Sequence, residues 1–534
     1  MAEEKKSLLY KLKPVTDRLP AVSKPEGHVQ FRTKMLWVVL ILGLYFVMTN
    51  IFIYGLNKTE TIDVFSSLRA ILAGAQGSLM HLGIGPIVTG SIIMQLFAGA
   101  KIINLNLKKD EDKAVYQGTQ KLVVLIMIVV ESVPQVMGFL TPSTAFVANL
   151  GGTATGPTNG LSPGNGNSLA MTFIVLQLIA GSYLVFLMDE VVAKWGIGSG
   201  ISLFIAAGVA QAIVTGTINW EPAQPGSAVP AGTIPKTLYY LGNMNAGQIS
   251  GGGYEEIMLS NPNPMIALIG TVAVFFIVAY VESSRIEIPL AHGTARGARG
   301  RYPIRLIYAS NIPVILVAAV LANVSMWSLL FWQHPEWPVV GRQAWIGSYP
   351  SADDPLVLSQ QIQRTTPIDG IAYYVSSVNG VGDWLLPLFA PERYPGLLAN
   401  HETWQVGAKL LIWLSVMIGG SVLFAKFWIE TTNMGPEAVA EQIEASGMQI
   451  PGFRRDPRVL KKVLERYIPT VTVIGGASVG ALAAGADMIG TVGNASGTGV
   501  LLTVGIMIQL YEAIGREQMM EMHPVLRNFF QGES

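Results

Sequence analysis

Ten runs of apolar residues decide what this chain can fold into. They lie at about 35–54, 78–99, 114–138, 169–188, 201–219, 264–284, 306–332, 404–429, 469–490 and 497–515. Each is near the roughly 20 residues a helix needs to cross a hydrocarbon core about 30 Å thick. No water reaches a bare N–H or C=O in lipid, so runs of this length must close their hydrogen bonds internally as α-helices. The expected fold class is all-α: a polytopic membrane protein with ten transmembrane helices. Composition agrees, with 13% charged and 50% apolar residues, where soluble domains carry about 25% charged residues. That balance excludes an ordinary soluble enzyme. The absence of cysteine excludes disulfides, thiolate metal sites and cysteine nucleophiles. Six scattered histidines show no ligand spacing, so no metal site and no cofactor are expected.

Charge asymmetry orients the spans. With an even number, both termini fall on one side, and that side carries 27 Lys and Arg against 6 on the other. Both termini are therefore expected in the cytoplasm. The polar 1–34 segment leads into a first span expected to remain as an anchor, because no cleavable signal peptide precedes it. The 139–168 and 220–263 outer connections are rich in Gly, Asn, Pro, Ser and Thr and read as flexible loops. The 333–403 loop carries seven acidic residues, with room for one short helix at 369–377. Asn57-Lys58-Thr59 is a glycosylation sequon on the outer side.

Ten spans divide into two halves of five. Span 2 contains Gly85-Pro86-Ile87-Val88 and span 7 contains Ile312-Pro313-Val314-Ile315. Each has a mid-span proline followed two residues later by a β-branched aliphatic, and each proline is expected to kink its helix. Between spans 1 and 2, Ile62–Ala73 is amphipathic but too short to span. It reads equally as a re-entrant helix or a surface loop.

Catalytic signals are weak. Gly476-Ala477-Ser478-Val479-Gly480 matches a hydrolase elbow but sits in an apolar span, where small residues serve helix packing. Gly196-Ile197-Gly198-Ser199-Gly200 lacks the strand that a dinucleotide site requires. Asp189, Glu190, Glu282 and Glu430 fall at span ends, and Lys121 and Lys409 are placed to snorkel. Glu131 and Asp487 are the candidates for buried charge. Two basic loops, 285–305 and 431–468, read either as positive-inside topology or as a dock for a polyanion.

Several strings together carry a family resemblance: Leu82–Leu96 (LGIGPIVTGSIIMQL), Tyr116–Leu122 (YQGTQKL), Gly196–Gln211 (GIGSGISLFIAAGVAQ), Glu287–Gly293 (EIPLAHG), Ser310–Leu316 (SNIPVIL), Gly452–Arg454 (GFR) and Gly497–Thr503 (GTGVLLT). In this order, from about residue 30 to 525, the chain resembles the SecY family, the channel-forming subunit of the Sec translocon, in its archaeal form. The long outer loops match less closely. The resemblance implies two inverted five-helix halves, 35–219 and 264–515, forming a clamshell around an hourglass pore. The hinge is 220–263, and 516–534 is a cytoplasmic tail. It implies a pore ring of Ile84, Val88, Ile201, Ile205, Ile315 and Leu502. Ile84/Val88 and Ile201/Ile205 are i,i+4 pairs, so each pair shares a helix face. It implies a plug at about 62–73 with Ile62, Val64, Phe65, Leu68, Ile71 and Leu72, and a lateral gate between spans 2–3 and 7–8 whose polar cluster is Thr89, Glu131 and Asn311. Arg296, Arg299, Arg301, Arg454 and Arg455 become the ribosome dock. The implied function is a passive protein-conducting channel, with no catalytic residues, that passes secretory polypeptides and releases membrane helices sideways into lipid. Implied partners are SecE-type and Secβ-type small subunits, the ribosome, signal sequences, nascent polypeptides, the lipid bilayer and SecDF, at the plasma membrane. The alternative is an inverted-repeat secondary transporter, which would show midplane carboxylates where a channel shows an aliphatic ring. An intramembrane hydrolase would need a Ser–His or Asp pair that the sequence does not display.

Overall fold

Helices begin and end where the chain changes from polar to apolar. The computed structural model describes the chain apart from residues 1–7, 28, 58–68, 100–101, 104, 106–108, 151–164, 224–226, 260–261, 293–298, 306–310, 338, 352–363, 393–397, 399–400, 433, 446–447, 450–456 and 523–534. The main helices are α1 (Phe31–Asn50), α2 (Gly85–Gly99), α3 (Asp110–Gly138), α4 (Asn165–Trp195), α5 (Gly200–Ile218), α6 (Met265–Ser283), α7 (Ile312–Gln333), α8 (Thr403–Thr431), α9 (Pro457–Ile489) and α10 (Gly497–Met522). Among the described residues nine are long and apolar enough to cross a membrane, and α2 is a shorter apolar helix of 15 residues. Leu36, Val39 and Val47 of α1 and Phe276 and Tyr280 of α6 point outward, as lipid-facing residues do. The chain is a multi-pass membrane protein.

Span 2 departs from expectation. Residues 78–84 are turns, not helix. Gly83 takes φ +55°, and a β-carbon there would collide with the backbone of Leu72 and Ala73. The Ile84 N–H then donates to the Leu72 carbonyl at 2.8 Å, and α2 starts at the next residue. The expected proline kinks are absent for the same reason. Pro86 and Pro313 are each the second residue of their helix, where a missing N–H would be unpaired in any case. The prolines start the helices and do not bend them.

The two halves share a second device. Near the end of α4, Asp189 Oδ1 accepts from the Ile201 N–H at the start of α5, at 2.9 Å. Near the end of α9, Asp487 Oδ1 accepts from the Thr498 N–H at the start of α10, at 2.9 Å, and Oδ2 from the Thr498 hydroxyl at 2.7 Å. Each carboxylate satisfies a donor at a helix N-terminus in apolar surroundings. At the far ends of the chain, the Phe31 N–H donates to Glu521 at 2.7 Å and Lys34 pairs with Glu517 at 2.7 Å, so the start of α1 and the end of α10 lie on one side.

Two features go beyond the all-helical expectation. A small antiparallel sheet, in the order β2-β1-β3, joins β1 (Arg285–His292), β2 (Arg299–Arg305) and β3 (Met448–Gln449). The alternation Arg285-Ile286-Glu287-Ile288 is the period-2 signal that could have found β1. The outer connections also hold more helix than their composition suggests: Thr144–Asn149, Thr233–Asn243, Tyr254–Leu259, Ile371–Val375 and Val381–Phe389. Only Ile371–Val375 falls inside the expected 369–377 helix. The described parts of 220–263 are therefore not a flexible loop.

Candidate functional site

The six aliphatic residues expected to form a ring come from both halves of the chain. Ile84 leads into α2 and Val88 lies in its first turn. Ile201 and Ile205 come from α5, Ile315 from α7 and Leu502 from α10. Ile84, Val88, Ile205, Ile315 and Leu502 belong to one buried cluster, with Ile201 packed against it. Ile84, Ile205 and Leu502 are 0% exposed, and Ile315, the most open of the buried five, is 9% exposed. Aliphatic side chains of this kind offer no ligand to an ion, and a ring of them would exclude water by dewetting. Val88 and Ile315 occupy matching positions, two residues after the helix-starting prolines, so the repeat delivers one aliphatic from each half.

Of the plug residues, Ile62, Val64, Phe65 and Leu68 lie outside the described residues. Ile71 and Leu72 are buried. Ile71 joins the central cluster, its Cγ1 3.6 Å from where a β-carbon on Gly499 would lie, at the start of α10. Leu72 instead packs with Phe139 just after α3, Met326 and Leu329 of α7, and Tyr349. The Tyr45 hydroxyl of α1 donates to the Ala73 carbonyl at 3.4 Å. The end of this segment thus seats against both halves.

The polar seam is arranged differently from the expected trio. Glu131 is buried beside Thr89, with Oε2 3.2 Å from where a β-carbon on Gly85 would lie. Its Oε1 has no hydrogen-bond partner among the described residues. The Thr89 hydroxyl donates to the Gly85 carbonyl at 3.0 Å and accepts from Asn323 Nδ2 of α7 at 3.3 Å. Asn311 does not join them. It lies just before α7 against Gly505 of α10, near Glu282, with both amide atoms buried and without a hydrogen-bond partner among the described residues. A β-carbon at position 505 would collide with that amide. Sequence reasoning missed Asn323, since nothing in its local pattern marks it.

A second tie across the seam was also missed. The Gly77 N–H donates to His81 Nδ1 at 3.0 Å, which places the ring proton on Nε2. Nε2 is 2.7 Å from Gln135 Oε1 of α3, and Gln135 Nε2 is 3.7 Å from Met326 Sδ of α7. His81 is buried. It connects the segment after the plug to both sides of the seam.

The remaining charges are mostly structural. Asp487 caps α10. Lys121 does not simply snorkel: it pairs with Glu190, which also lies 3.7 Å from Lys194 and accepts from the Val22 N–H at 2.9 Å. Lys409 sits 4.6 Å over the Tyr373 ring. Gly476 and Gly480, the elbow-like glycines, let α9 pack closely on Ser421 of α8. Arg296, Arg454 and Arg455 lie outside the described residues, and Arg299 and Arg301 are on β2, paired with Ala291 and Pro289 of β1. Because β3 pairs with the end of β1, the sheet joins two loops that the sequence lists more than a hundred residues apart.

Known proteins share this fold over nearly the whole chain. The SecY family model matches residues 78–511, and the model of the plug domain of Sec61p matches residues 44–77. The protein translocase subunit SecY of Archaeoglobus fulgidus is 42% identical over 530 residues, covering 99% of this chain and 100% of its own. A solved structure of a protein-conducting channel aligns with a TM-score of 0.73 at 36% identity, covering 96% of this chain and 98% of the other. Sec61 in the canine ribosome–channel complex from the endoplasmic reticulum aligns with a TM-score of 0.70 at 36% identity and the same coverage. Matches of this kind, over nearly the whole chain, mean that the chain belongs to the SecY family of protein-conducting channel subunits.

Proposed function

We propose that the six-residue cluster is the closed waist of the pore, and that hydrophobic signal segments leave through the seam between α2–α3 and α7–α8. The observation that carries this reading is that Ile84, Val88, Ile205, Ile315 and Leu502, from both halves, all lie in the buried apolar core, with Ile201 packed against it. Aliphatic side chains can yield around a passing chain and re-close without binding it. The Ile71–Leu72 end of the plug supports the seal from the outer side. Thr89, Asn323, Glu131 and the His81–Gln135 pair hold the seam while it is empty. Asn311 stands apart at the start of α7 beside α10, its amide without a hydrogen-bond partner among the described residues.

In this reading the channel is a passive conduit of the plasma membrane, with cytoplasmic termini, and a translating ribosome supplies the push. The charge bias of 27 to 6 supports the orientation. The sheet that joins the two basic loops supports docking of ribosomal RNA, with Arg299, Arg301, Arg454 and Arg455 as contacts. SecE-type, Secβ-type and SecDF partners follow from family membership. The decisive experiment places a photo-crosslinker singly at each ring position and stalls a secretory chain in transit. Crosslinks are expected at all six positions and not at lipid-facing Phe276. Absence of crosslinks at the ring would overturn the assignment.

A further inference from the structure

The Thr233–Asn243 helix, in the connection between the halves, is amphipathic the wrong way round for a water-exposed element. Its inward face is polar. Thr233 is 0% exposed and donates to the carbonyl of Gly216 at 3.3 Å or of Asn263 at 3.1 Å. Lys236 is 1% exposed, and its Nζ donates to the Pro262 carbonyl at 2.6 Å. The Tyr240 hydroxyl donates to Glu256 at 3.4 Å. The outward face is Ile234, Leu238 and Leu241, at i, i+4 and i+7, each more than 40% exposed. Water would favour the opposite arrangement by about 1.5–3 kcal/mol for each large aliphatic.

The surroundings say what covers that face. Thr233 reaches Gly216 in the last turn of α5 and Asn263 just before α6, so the helix starts level with the outer ends of two spans. The lipid-facing residues of those spans, Val214 and Ile218 on α5 and Ile269 and Val272 on α6, are likewise exposed and apolar. Trp220 and Tyr254 stand exposed on either side of the helix in sequence, and amphipathic rings of this kind collect at membrane–water boundaries. We infer that the Thr233–Asn243 helix lies in the outer interfacial layer of the bilayer, with Ile234, Leu238 and Leu241 against lipid. The connection between the halves is then held by lipid as well as by protein, and any motion of one half against the other must shift this helix in the interface.

The chain has no cysteine, so single labels are unambiguous. An environment-sensitive fluorophore is placed at Leu238→Cys, at Leu241→Cys and, off the apolar face, at Asn243→Cys, in full-length protein in liposomes. Vesicles carry a nitroxide high on the acyl chain, and iodide serves as the aqueous quencher. Labels at 238 and 241 are expected to be blue-shifted, quenched several-fold more by the nitroxide than the label at 243, and protected from iodide. Equal iodide access at all three positions overturns the inference. So does protection at 238 and 241 that appears only when small membrane subunits are co-purified, which would assign the face to a protein partner.

Discussion

In the N-terminal half, Asp189 near the end of α4 reaches the N–H of Ile201; in the C-terminal half, Asp487 near the end of α9 reaches Thr498. In the first half Pro86 opens α2, and in the second Pro313 opens α7. The halves use the same devices and load them differently. Ahead of α2, the chain is tied down by Ile84 N–H to the Leu72 carbonyl and by His81 between Gly77 and Gln135. Ahead of α7 stands Asn311, buried, its amide without a hydrogen-bond partner among the described residues. Duplicated geometry builds the frame. The polar residues that differ between the halves tie one helix start down and leave the other with an amide that has no hydrogen-bond partner among the described residues.

The strongest test of this comparison removes the waist from one half at a time. Replacing Ile84 and Val88 with Gly, or Ile315 and Leu502 with Gly, is expected to raise ion conductance in planar bilayers several-fold in either case, and further when combined. If one half alone carried the seal, one pair would leave conductance at the wild-type level. Next in size are the helix caps. Asp487→Ala loses two hydrogen bonds at a buried site and is expected to cost about 1–3 kcal/mol. Asp189→Ala loses a more exposed cap, worth about 0.5–2 kcal/mol. Thermal unfolding in detergent ranks the two, and an equal or reversed order would break the expected asymmetry.

His81→Ala strands the Gly77 N–H and one side of Gln135, a loss of about 1 kcal/mol or somewhat more. Because that tie spans the seam, export of a precursor with a weakened signal sequence is expected to rise a few-fold. Unchanged export alongside a lowered melting temperature would make the histidine merely structural. The smallest effect has the opposite sign. Asn311→Leu replaces a buried amide, without a hydrogen-bond partner among the described residues, with an apolar group of similar size and is expected to raise stability by about 1 kcal/mol. A destabilised variant would show that the amide has a partner in the working protein.

The candidate ring, plug and gate residues were named by the family resemblance, and only a few of their features are local. Pro+2 aliphatics, i,i+4 pairs and a short amphipathic segment before span 2 can all be read from neighbouring residues. Asn323 and Gln135 could not be read in this way. Each is an amide inside an apolar helix, and its meaning depends on a partner on another helix, Thr89 in one case and His81 in the other. Asn311 shows the opposite failure. Its motif placed it at the start of α7 correctly, but only three-dimensional packing against Gly505 shows that it faces α10 and not the Thr89–Glu131 pair.

By itself the sequence determined the environment and the topology. Ten apolar runs admit no solution in lipid other than helices, and 27 basic residues against 6 orient them. Tertiary structure alone decided which residues act together. Hydrogen bonds and steric contacts reach only a few ångströms, and residues as distant as 89 and 323, or 285–292 and 448–449, come within that reach only after the helices have packed. The same packing turned the Thr233–Asn243 helix polar side inward, which no property of its eleven residues alone could have settled.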